Sequence, residues 1–149
     1  MFVDEIEGVA QACGLSFLYG NAAEINRILD LTQKPDFPVL IYFAPVQASD
    51  TIESSGLVKT TFPFTAALLK QHMEKTIDYD SSVVQETIDE CRTLARQFIH
   101  KLNSASFIDD STPGITSISY PSLYAEYDSH LLGVAIECTI PAKLNSTFC

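Results

Sequence analysis

The run DSSVVQETIDECRTLARQFIHKL, from Asp80 to Leu102, restricts the possible folds more than any other stretch of the chain. Its apolar residues Val84, Ile88, Cys91, Ala95, Phe98, Ile99 and Leu102 recur at steps of three and four, which puts them on one stripe of a 3.6-residue helix. Glu86, Asp89, Glu90, Arg92, Arg96 and Lys101 fall on the opposite side. Ser82 and Gln85 read as a capping box, each side chain satisfying the other's free backbone N–H. Acids precede bases along the run, the order the helix dipole favours. A helix this one-sided has to cover something apolar, and the segments around it supply strands for that purpose.

At the N-terminal end, Phe2, Ile6, Val9 and Cys13 share one helical face, with Gly14 placed as a stop. Leu15 to Tyr19 is a short apolar and aromatic run closed by Gly20, which predicts a strand. Asn21 and Glu24 suggest a second capping box ahead of Ile25, Ile28 and Leu29, a short helical segment. Pro38 to Val46 is apolar almost throughout and predicts a strand covered on both faces or buried at an interface, with Pro45 suggesting an edge or bulge. Gln47 to Gly56 is polar and predicts a loop. From Gly56 to Lys70, Val58, Phe62, Phe64, Ala66 and Leu68 alternate with polar residues, a long half-buried strand broken or bent at Pro63. Ile115 to Tyr127 and Leu131 to Ile140 form a hairpin pattern about Asp128 and Ser129, and the tail 141–149 is polar enough to be mobile. The expected fold is one α+β domain over residues 1–149. It has a mainly antiparallel sheet of four or more strands, with the long amphipathic helix 80–102 and an N-terminal helix packed mainly on one face.

Composition narrows the function. The chain has 149 residues, enough for a core without metal or disulfide support, and 46% of them are hydrophobic. No apolar run approaches the roughly 20 residues a membrane helix requires. Met1 leads directly into Asp4, Glu5 and Glu7 rather than into a basic and apolar leader, so the expectation is a soluble intracellular product. Nine Lys and Arg against nineteen Asp and Glu leave a net charge of −10, which argues against affinity for a nucleic acid backbone. The cysteines Cys13, Cys91, Cys138 and Cys149 have no zinc-site spacing; the first three sit on apolar stripes as core residues, and Cys149 reads as an exposed thiol.

Reactive groupings are sparse. There is no GxGxxG, no GxxxxGK[ST] and no GxSxG. His72, His100 and His130 lie in separate elements, and Asp128, Ser129 and His130 are neighbours in a turn, a poor triad geometry. The acid pairs Glu5/Glu7, Asp89/Glu90 and Asp109/Asp110 read as solvated surface rather than metal ligands. Tyr120, Tyr124 and Tyr127 suit packing or an interface better than base stacking, since few bases flank them. No catalytic, cofactor-binding or metal residues are therefore expected.

Three pieces together, FLYGNAAEIN followed by PVLIYFAPV, the helix end CRTLARQFIHKL, and the terminal YAEYDSHLLGVAIECTI, resemble in order and spacing the small neck and tail-completion proteins of tailed bacteriophages, especially the crAss-like phages of gut Bacteroidales. The resemblance covers most of the chain. It implies a non-catalytic virion protein, assembled in the bacterial host cytoplasm. Such a protein would form a ring homo-oligomer of six or twelve copies and join portal or connector to tail. DNA would pass through the lumen without specific binding, and no membrane would be involved. An acidic lumen would fit the charge, because a conduit must not hold its cargo. Each subunit would present two unlike patches that meet head to tail. The Gln47–Gly56 loop, the linker Lys70–Tyr79 and the tail would reach neighbours, and Pro38–Val46 with Gly56–Lys70 would build a shared wall. The rival expectation is a cytosolic α+β enzyme or ligand-binding domain, with a polar cleft that gathers an acid or histidine.

Overall fold

A computed structural model describes residues 2–21, 38–43, 49–52, 54–56, 58–71, 82–106, 108, 114–124 and 131–142. Its elements are α1 (Phe2–Ala12), β1 (Ser16–Gly20), β2 (Val39–Phe43), β3 (Ser49–Ile52), β4 (Val58–Gln71), α2 (Ser82–Asn103), β5 (Thr116–Ser119), β6 (Ser122–Tyr124) and β7 (Leu131–Ala142). The strands form one seven-stranded sheet in the order β1-β2-β4-β7-β5, with β3 also on β4 and β6 also on β7. The fold is α+β with a mostly antiparallel sheet, as the sequence pattern predicts.

The long helix is described over Ser82–Asn103, one residue past its expected end. Its seven buried residues are Val84, Ile88, Cys91, Ala95, Phe98, Ile99 and Leu102, the whole of the apolar stripe. They meet Phe62, Phe64, Ala66 and Leu68 of β4 and Leu132, Val134, Ile136, Cys138 and Ile140 of β7, which alternate toward the helix. Ile6 and Ala10 of α1 complete this core. α1 ends in a Schellman motif: the Leu15 N–H donates to the Ala10 carbonyl and the Gly14 N–H to the Gln11 carbonyl, both at 3.0 Å, with Gly14 at φ 77°. The Ser16 N–H then donates to the Pro38 carbonyl at 3.1 Å, and the β1–β2 ladder begins.

β1 and β2 are the parallel pair in the mostly antiparallel sheet, which the 18 residues between them (21–38) are long enough to allow. As expected for β2, the sheet's second face is dry at one end, where Val39, Ile41, Ala67, Leu69 and Leu131 form a buried cluster of their own. Several expectations need correction. Within Gln47–Gly56, read as a loop, Ser49–Ile52 is a strand whose four residues are all exposed, so no apolar alternation marks it. β4 is not broken at Pro63, which pairs with Thr139 in a continuous β4–β7 ladder. Pro63 falls where neither β2 nor β3 lies on the other side of β4, so its missing N–H leaves no described ladder bond unmade. The first hairpin arm is two strands, not one. From Thr116↔Thr139 to Ser119↔Glu137, three steps on β5 face two on β7, and the surplus coincides with Ser117 at φ 56°. At the C-terminal end β7 carries Pro141 and Ala142 into the sheet, both buried, where a mobile tail was expected to begin. Residues 22–29 of the expected helical segment, Pro45, the linker 72–79, the turn at 128–129 and residues 143–149 lie outside the described residues.

Candidate functional site

The long strand outruns the helix that covers it. Phe98 packs on Phe64 with ring centroids 6.1 Å apart, and near the other end Lys70 pairs with Glu90. Beyond Phe98 the helix has five residues, roughly 7 Å of rise, whereas β4 has six beyond Phe64, roughly 20 Å. The Val58 end of β4, with β3 alongside, therefore lies beyond the end of α2, where Phe62, Ile108, Ile140 and Ala142 carry the core on. Side chains stitch this arm together. Asp50 Oδ1 accepts a hydrogen bond from Thr60 Oγ1 at 2.7 Å, and the Ser49 carbonyl accepts one from Thr61 Oγ1 at 3.4 Å. Ile52, at its tip, is 74% exposed. On the sheet face away from α2, opposite to the face that Ile52 shares with Val58, Pro63, Thr65 and Glu137 are exposed, so that face is wet beside β3 and dry at the other end.

At the opposite edge, residues 114–124 are strapped onto α2. The Ile115 N–H donates to Asn103 Oδ1 at 3.0 Å. Arg92 divides its guanidinium between Ser122 Oγ (3.0 Å) and Asp89 Oδ1 (2.9 Å), and Arg96 lies 5.6 Å from the centre of the Tyr120 ring. A recess of about 220 Å³ remains between strap and helix, lined by Arg96, Ile99, His100, Asn103, Ile115 and Ile118. A wider open groove of about 550 Å³ runs along α2 past Glu86, Asp89, Glu90, Thr93 and Leu94.

The residues singled out from the sequence are dispersed. Glu5 and Glu7 are on α1, and Asp89 and Glu90 are tied to Arg92 and Lys70. His100 is exposed near the end of α2, and Tyr120 is held under Arg96. His72, His130, Asp109, Asp110, Tyr127, Cys149 and the Asp128–His130 turn lie outside the described residues. Among the described residues no three His, Cys, Asp or Glu side chains gather as metal ligands do. Burial pushes the Cys91 thiol up to about 11, against the pull of Lys70 and with a push from Glu90, and pushes Cys138 up to about 12. Burial also raises Cys13, which Lys101 partly offsets. These are shifts away from nucleophilic thiolates. Cys91 instead points its S–H at the Leu132 carbonyl, 3.9 Å away. Tyr42 is raised by burial, with Tyr19 and Cys138 adding to the shift, and it sits in an aromatic row from Tyr19 (5.4 Å) to Phe64 (4.7 Å).

Sequence reading missed the β3 arm. The one available signal was Thr51-Ile52, a β-branched pair in an otherwise polar run. The arrangement sets an exposed strand, β3, beside β4 at one side and a recess lined by Arg96 and His100 at the other. Among the described residues no helix is long and apolar enough to cross a membrane. Neither the models of known protein families nor the curated proteins match this chain.

Proposed function

We propose that the chain is a non-catalytic structural protein of a tailed-bacteriophage virion, a subunit of an oligomeric ring in the neck or tail that joins portal or connector to tail around the DNA passage. The observation that carries this reading is the β3 arm. All four of its residues are exposed, and no described strand lies on its outer side. Such an edge can template a strand of another chain. The charge of −10 adds support, since an acidic lumen lets DNA slide. The partners are other copies of the chain, six or twelve to a ring, together with the adjacent portal or tail proteins.

Native mass spectrometry and negative-stain imaging, on the chain alone and mixed with a portal ring, test the reading. Closed rings in either sample support it. A chain that stays monomeric in both, and whose α2 groove binds a metabolite, overturns it in favour of a ligand-binding domain or enzyme.

A further inference from the structure

A ring that closes head to tail needs two unlike patches on each subunit, and this inference, which rests on the ring reading, identifies them. We infer that the β3 arm of one copy inserts Ile52 and Asp50 into the recess between α2 and β5 of the next copy. Asp50 and Ile52 are two residues apart on a strand and so share a face, presenting a branched apolar side chain beside a carboxylate. The recess is the counterpart of that pair. Its apolar wall includes Ile118, 40% exposed, its cation is Arg96, and His100 lies one helical turn from Arg96 on α2. Among the described residues Lys70 and Arg92 each already hold a carboxylate, while Arg96 has the Tyr120 ring beneath it and no acid. In a chain with nineteen acids and nine Lys and Arg, a basic apolar recess is uncommon surface, and an acidic apolar tip complements it.

Position in the sheet supports the same pairing. β3 borders β4 on the β2 side, whereas β5 lies beyond β7, so the two patches are on opposite edges and a contact between them is head to tail. The β5 edge is guarded against sheet extension by its bulge and by Ser117 at φ 56°. The contact is therefore side chain into recess and not strand onto strand.

The test uses the full chain, alone and with a portal ring. Ile52→Asp and Arg96→Glu each raise the concentration needed for assembly by about tenfold or more, and Asp50→Arg combined with Arg96→Asp restores it. Circular dichroism confirms that each variant is folded. In a Cys149→Ser background, Ile52→Cys chains mixed with Ile118→Cys chains form a 52–118 disulfide on mild oxidation, read by peptide mass. Rings that form undiminished in both single variants, without the 52–118 cross-link, overturn the contact and leave the ring reading in place. A chain that neither assembles nor cross-links also overturns the contact, and the ring reading is then decided by the portal mixture.

Discussion

Gly133 is the residue with the least freedom. A Cβ there would lie 1.9 Å from the Leu68 carbonyl oxygen, a backbone atom on the neighbouring strand that cannot swing aside. Gly133→Ala should therefore cost roughly 1–3 kcal/mol, at the upper end of that range, and lower the urea midpoint accordingly. The buried thiols make a separate prediction about pH. From the ordinary 9.0, Cys138 is raised to about 12 and Cys91 to about 11. Below pH 9 both are protonated, folded or unfolded. Between pH 9 and about 12 the unfolded chain releases protons that the folded chain keeps, so stability is present below pH 9 and declines through that window. Tyr42 acts in the same direction at higher pH. Denaturation curves from pH 8 to 12 should show the decline, and Cys138→Ala should flatten its slope.

At the scale of elements, α2 is held by what it buries and only slightly by what it displays. Phe98 is fully buried against Phe64, so Phe98→Ala should cost about 3–5 kcal/mol. The Lys70–Glu90 pair is 41% and 57% exposed at its side chains, and Glu90→Gln should change stability by less than about 1 kcal/mol. Chemical denaturation of the two variants side by side measures the contrast; equal losses would mean that the helix docks through its charges. β2 and β3 both run antiparallel to β4, on the same side of it. From Tyr42 to Ser49 the chain takes seven steps against five from Ala66 to Thr61, so the two strands cannot be one uninterrupted ladder. That offset separates the part of β4 beside β2 from the part beside β3.

For the whole molecule, the net charge of −10 acts as a uniform self-repulsion. Raising salt from about 0.05 to 0.5 M shortens its range to a few ångströms and should raise the thermal midpoint by a few degrees. The same charge predicts that duplex DNA is not retained in a gel-shift experiment at about 0.15 M salt. Retention there would contradict a conduit that its cargo passes without sticking.

Periodicity alone was enough to mark both described helices, the full buried stripe of α2 from Val84 to Leu102, and the inward faces of β4 and β7. The 3.6- and 2-residue repeats are local consequences of which side chains must leave water, so they are written in the order of residues. Strand partnership is not written there. That β1 runs parallel to β2, that Ser49–Ile52 is a strand, and that Pro63 sits in an unbroken ladder depend on which backbone N–H and carbonyl groups meet across the sheet, and polar residues on an exposed edge carry no hydrophobic rhythm. The recess of Arg96, His100 and Ile118 comes from the folded chain for the same reason: its walls belong to segments more than ten residues apart that touch only once the sheet has closed.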